Sequence, residues 1–135
     1  MTSPIVELRV ALTAQDYNQL VAFYENALGL EAADIWTQGD NKGVLYDMGR
    51  ATLEILDENS AAAVDQIEAG KRMSGQIRFA LEVSDLEASL KRALAKGAML
   101  VHEPIITPWH HHNVRLQAPD GLQITLFQVL NAERK

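Results

Sequence analysis

Apolar and polar residues alternate at the start of the chain, with Leu8, Val10 and Leu12 on one face and a more polar set opposite. This pattern predicts a half-buried strand. The same alternation returns at Ile77, Phe79, Leu81 and Val83. After each run the apolar period lengthens to that of a helix, with Leu20, Phe23, Tyr24 and Leu28 in the first case and Leu86, Leu90 and Leu94 in the second. Asp16 precedes the first predicted helix and Ser84-Asp85 the second, where a side-chain oxygen can accept from otherwise unpaired helix amides. Gly29 and Gly97 stand where each helix must turn out through a left-handed conformation.

Short strand-like runs follow each helix, roughly Glu31 to Trp36, Gly43 to Met48 and Ala51 to Leu56 in the first half. In the second half they are Met99 to Val101, His111 to Gln117 and Leu122 to Val129. The halves also match residue by residue. Ala11-Leu12-Thr13-Ala14-Gln15-Asp16-Tyr17 is echoed by Ala80-Leu81-Glu82-Val83-Ser84-Asp85-Leu86, and Leu53-Glu54-Ile55-Leu56 by Ile124-Thr125-Leu126-Phe127. The reading is an α+β fold, one domain over residues 1–135 built from two paired βαβββ modules. Module one spans about 5–57, a linker about 58–75, and module two about 76–130. Ala61-Ala62-Ala63-Val64 and Ile67 suggest a short amphipathic helix in the linker, read as a connector. A single half-barrel sheet cannot bury both of its faces, so the two modules are expected to pair edge to edge and enclose a cleft.

Composition narrows the function. A chain of 135 residues with 47% hydrophobic and 22% charged residues is ordinary globular material. There is no cysteine, which removes disulfides, thiolate metal sites and a cysteine nucleophile. A net charge of -6 without a concentrated basic patch disfavours nucleic acid and anionic membrane as partners. Pro4, Glu7 and Arg9 interrupt what a signal peptide would keep apolar, and no apolar run reaches the roughly 18 residues of a membrane span. The expectation is a cytoplasmic protein.

Val10-Ala11-Leu12-Thr13, Gln15-Asp16 and Val21-Ala22-Phe23-Tyr24-Glu25-Asn26-Ala27-Leu28-Gly29-Leu30 resemble the opening of glyoxalase, bleomycin-resistance and extradiol dioxygenase proteins, the vicinal oxygen chelate superfamily. Ala118-Pro119-Asp120-Gly121 ahead of Gln123-Ile124-Thr125-Leu126-Phe127 is similar to their closing strand. In the metal-dependent members, strands of both modules present His and Glu or Gln to one divalent metal. Carried over position by position, the resemblance places those ligands at Arg9, Glu54, Arg78 and Thr125. Glu54 fits and Thr125 is at best a weak hydroxyl ligand. The two arginines offer only donors and cannot ligate a cation, so neither metal nor cofactor is expected. The strand alternation aims Arg9 and Arg78 into the cleft, where Glu54 would meet them. Such a trio either replaces the lost metal as a structural ion network or takes an anionic ligand through its guanidinium groups.

His110-His111-His112 follows Pro108 and Trp109 on a loop entering a strand. Neighbours on a strand point to opposite faces, so at most His110 and His112 could act on one ligand. Trp36, Tyr46 and Trp109 stand where they could line a concave pocket, or serve as core or dimer contacts. The expected function is binding of an anionic or aromatic small molecule in the inter-module cleft by a homodimer without metal, as in the superfamily's drug-sequestering members. The competing expectation is a lyase, isomerase or dioxygenase. It would hold metal through an unusual set such as Glu54 with His110 or His112, or use His112 as a metal-free general base.

Overall fold

In the computed structural model the described residues are 10, 14, 16–38, 41–51 and 57–130, with only the backbone of Trp36, Gln38 and Asn41. Helix α1, Tyr17–Ala22, runs directly into a π-helical turn, Phe23–Ala27. Strands β1 (Ala32–Gln38) and β2 (Asn41–Tyr46) form an antiparallel pair. Helix α2 (Glu58–Ala69) follows, then β3 (Arg78–Glu82), α3 (Leu86–Ala95), β4 (Met99–Ile106), β5 (His111–Gln117) and β6 (Gln123–Val129). The fold is α+β, and the second βαβββ copy is described in full, as one sheet in the order β3-β6-β5-β4. Strand β3 is parallel to β6, and the other neighbours are antiparallel. The strands expected to open and close the first copy fall outside the described residues.

The helix boundaries follow from local chemistry. The Asp16 carboxylate accepts from the Gln19 amide at 3.0 Å, and Asp85, rather than Ser84, does the same for Ala88 at 3.1 Å. Gly29 (φ 76°) and Gly97 (φ 108°) take the left-handed turns that a β-carbon would strain. Strand β4 is longer than the expected three residues because it continues through Pro104 to Ile106. Proline is tolerated there because β4 is an edge strand. In α3 the stripe shifts: Leu94 is exposed, while Leu86, Ser89 and Ala93 are the residues turned inward.

The core lies on one face of the four-stranded sheet. Val114 and Leu116 of β5 and Ile124 and Leu126 of β6 pack with Leu86 and Ala93 of α3, and with Leu20, Phe23, Tyr24 and Ala27 of the first copy. Elements of both copies therefore share one apolar core, and full burial of each large side chain contributes about 1.5–3 kcal/mol. The Arg92 guanidinium adds a bond across the copies to the Ala27 carbonyl at 3.2 Å. The opposite, concave face of the sheet is also buried, and among the described elements α2 packs on it. The linker helix is thus a third layer of the fold, more than a connector.

Candidate functional site

Alternation along β5 and β6 sets the chemistry of the concave face. With Val114 and Leu116 turned to the core, Asn113 and Arg115 face the other way, and the register places Arg115 opposite Thr125 and Gln117 opposite Gln123. Arg78 of β3 lies beside them. Helix α2 brings Asp65 and Glu68, spaced one turn apart and so on one helical face, down onto this floor.

The resulting network is dense and dry. Arg115 is 0% exposed, Asp65 1% and Glu68 3%. Arg115 donates from Nη2 to Glu68 Oε1 at 3.0 Å and lies 2.9 Å from Asp65 Oδ1. Its Nε donates toward Glu68 Oε1 and Thr125 Oγ1, both at 3.3 Å, and its Nη1 to Ser74 Oγ at 3.0 Å and Gln123 Oε1 at 3.3 Å. The Thr125 hydroxyl donates to Glu68 Oε1 at 2.5 Å and accepts from Arg78 Nη1 at 3.0 Å. Asn113 Nδ2 donates to Glu68 Oε2 at 2.9 Å, while Asn113 Oδ1 is a buried acceptor with no partner among the described residues. Charges this deep persist only because each is paired and hydrogen-bonded.

Asp65 is held differently. Its carboxylate accepts from the amides of Met73 (2.7 Å) and Ser74 (2.8 Å), from the Ser74 hydroxyl, and from Arg72 at 3.1 Å. Burial by itself would raise its pKa. The bonds from Ser74, the Met73 and Ser74 amides and Arg115 outweigh that and hold the carboxyl well below the usual range. A depressed carboxyl stabilises the folded state at pH values above the unfolded value of about 3.9, and the contribution is lost as pH falls below it. Asp65→Asn is therefore expected to be less stable than the parent at pH 7, with the difference shrinking below about pH 4. Guanidinium unfolding across that range checks the sign.

Among the residues singled out in the sequence, the structure joins Arg78 and Thr125, and Arg9 and Glu54 lie outside the described residues. The Tyr46 hydroxyl donates to Glu25 Oε2 at 2.9 Å and its ring packs against the shared core, away from the concave floor. Burial and the Glu25 carboxylate both push its pKa up. Trp109 and His110 sit on the exposed β4–β5 hairpin, where the His110 amide donates to the Thr107 carbonyl and His110 takes a left-handed φ of 63°. That turn separates His110 from the alternation of β5, so His110 and His112 are not strand neighbours on one face. His112 is half-buried, and His111 stacks on Phe127 with ring centroids 4.9 Å apart. The side chain of Trp36 is not described.

Arg115, Glu68 and Asp65 were not singled out from the sequence. Signals for them exist in the polar-apolar alternation of Asn113-Val114-Arg115-Leu116-Gln117 and the one-turn spacing of Asp65 and Glu68. Two concavities, of about 440 Å³ beside Gly29, Glu31, Ala33 and Asp47 and about 70 Å³ beside Asp16, Gln19 and Pro119, are lined by none of the concave-floor residues.

The family description Glyoxalase/Bleomycin resistance protein/Dioxygenase superfamily matches residues 8–126. The chain belongs to this superfamily. YraH of Bacillus subtilis (strain 168) is 24% identical over 127 residues, which is 91% of this chain and 98% of YraH. Among solved structures, TnmS3, an antibiotic binding protein from Streptomyces sp. CB03234, superposes with a TM-score of 0.61 at 17% identity, covering 95% of this chain and 99% of its own. SA1046 from S. aureus gives a TM-score of 0.61 at 17% identity over 93% and 95%. The chain thus has the glyoxalase/bleomycin-resistance fold. Of the four positions that the resemblance assigns to a divalent metal, only Arg78 and Thr125 are among the described residues, and neither suits one. Arg78 cannot ligate, and the Thr125 hydroxyl is already bonded to Glu68 and two arginines. Among the described residues there is no group of three or more His, Cys, Asp or Glu that could hold a metal ion. No described helix is long and apolar enough to cross a membrane.

Proposed function

We propose that this superfamily member is a metal-free small-molecule-binding protein that holds an anionic or aromatic ligand in the cleft over the concave face. The observation that supports the reading is the Arg78–Thr125 contact of 3.0 Å, between two positions that the resemblance assigns to metal ligands. Arg115 adds a second guanidinium on the same floor. Two such groups recognise a carboxylate or phosphate by charge-assisted, geometrically matched bonds. The fold likeness to TnmS3 supports binding as the activity. Arg9, Glu54, Trp36, Trp109, His110 and His112 complete the proposed ligand-binding set, and Tyr46, bonded to Glu25 and packed on the core, is left out of it. Met99, Leu100 and Ile106 are exposed along the edge strand β4, with Trp109 beyond it, which favours a homodimer. The proposed location is the cytoplasm.

The test has two parts. Elemental analysis of untagged protein, purified without chelators and then dialysed against zinc, nickel, manganese or iron, is expected to find no near-stoichiometric metal. A thermal-shift panel of anionic and aromatic molecules is expected to find ligands whose affinity falls about tenfold or more in Arg78→Met, as loss of a hydrogen bond to a charged group implies. Near-stoichiometric metal that disappears in Glu54→Ala would overturn the reading in favour of a metal-dependent lyase, isomerase or dioxygenase.

A further inference from the structure

The two acidic residues of α2 are anchored in different ways. Asp65 takes most of its bonds from the connector that follows its own helix, Arg72, Met73 and Ser74, and would carry these with it if the helix moved. Among the described residues, the hydrogen bonds to Glu68 come from the sheet, from Asn113, Arg115 and Thr125. No side chain of α2 belongs to the apolar core cluster. Ala69 of the helix is buried and Ala61, Ala62, Val64 and Ile67 are half-buried, while its charged contacts to the floor run through Asp65 and Glu68; its termini are Asp57, whose carboxylate accepts from Ser60, and left-handed Gly70.

We propose that Asn113, Arg115 and Thr125 form a carboxylate-binding site whose resident occupant is Glu68, and that a ligand carboxylate takes its place as α2 lifts from the sheet. The proposal rests on the reading of the concave face as an anion-binding cleft, and adds the ligand class and the way the site is kept closed. The exchange is balanced at the Glu68 position and gives up the contacts of Arg115 to Asp65 (2.9 Å) and Ser74 (3.0 Å). A carboxylate from outside accepts the same bonds that Glu68 accepts, so Arg115 is never left buried and unpaired, a state several kcal/mol less favourable. The cleft therefore opens when an anion arrives and does not stand open empty. As a tethered competitor Glu68 acts at a high effective concentration, of millimolar order for a short connection. Simple anions are thereby excluded in favour of ligands that make further contacts. Asn113 Oδ1, which Glu68 cannot satisfy, is an acceptor left for a hydroxyl or N–H carried beside the ligand's carboxylate.

Chemical rescue tests the site. In Glu68→Ala, which leaves room for a small carboxylate, sodium acetate is expected to raise Tm saturably by several degrees over sodium chloride at equal ionic strength. Glu68→Gln, whose amide fills the space, is expected to show no such rise. Acetate acting no better than chloride on folded Glu68→Ala overturns the proposal. The parent protein gives an independent measurement. Sodium benzoate at saturation, judged by Tm, is expected to speed hydrogen exchange of the amides of residues 58–69 by about tenfold or more, while β5 and β6 stay protected. Benzoate binding with α2 protection unchanged overturns the exchange mechanism, and no effect of either carboxylate on either protein overturns the whole proposal. The two readings fail separately. A ligand that needs Arg78 but leaves α2 in place spares the binding function, whereas near-stoichiometric metal removes that function without touching acetate rescue.

Discussion

Arg115→Met is expected to lower the unfolding free energy by about 3–5 kcal/mol, the usual cost of removing one partner from a buried charge network. The substitution preserves most of the volume and the apolar stem, so packing loss is small. What remains is Asp65 and Glu68, both essentially inaccessible to solvent, with their common counter-charge gone. Ser74, Gln123 and Thr125 lose a donor in the same step. Arg115→Lys is expected to recover less than half of the loss, because an ammonium is a point donor and cannot span the planar fan of acceptors that the guanidinium reaches. Urea unfolding of the three proteins at pH 7 checks this. A loss below about 1 kcal/mol for Arg115→Met would mean that solvent reaches the network and that the concave face is open.

Phe23→Ala is expected to cost about 3–5 kcal/mol through lost burial and the cavity left behind. Phe23 is 1% exposed and meets Tyr24 edge-on, with ring centroids 5.3 Å apart. It belongs to the first copy, yet its cluster includes Leu86 of α3 and Val114, Leu116, Ile124 and Leu126 of the second. Because one core serves both copies, the variant is expected to unfold in a single transition at a lower denaturant midpoint with an unchanged slope. Two separated transitions, one little changed from the parent, would show that the copies are stabilised independently and that the shared core is not what holds them together.

Much of the architecture was legible because local periodicity and local stereochemistry are properties of short stretches of chain. Alternation at Phe79 and Leu81 marked β3, the 3.6 period at Leu20, Phe23 and Tyr24 marked the first helix, and Asp16, Asp85, Gly29 and Gly97 marked ends that side-chain oxygens and left-handed backbone require. The limits of that logic show at β4, which outran its apolar pattern as an edge strand, and at α3, where Leu94 turned to solvent while Ser89 and Ala93 went inside. Small residues are what close helix-to-sheet approach accommodates, and a hydrophobicity pattern ranks them below leucine.

The candidate site was legible only in half. The alternation that placed Arg78 and Thr125 on the concave side is a two-residue period, and the structure joins them at 3.0 Å. Nothing local indicates that a linker helix will lie across that face, since partners in sequence as far apart as Glu68 and Thr125 meet only after the sheet has formed. By itself the sequence determined the repeat, the helix and strand types, the glyoxalase-like family and the turn of Arg78 and Thr125 to one face of the sheet. Tertiary structure alone decided that Arg115 is the centre of charge among the described residues, that α2 lies across the floor, and that Glu68 supplies an anion to it. The reason is that burial of a charge is fixed by whatever packs against it, and that neighbour is chosen by the whole fold rather than by the residues beside it in the chain.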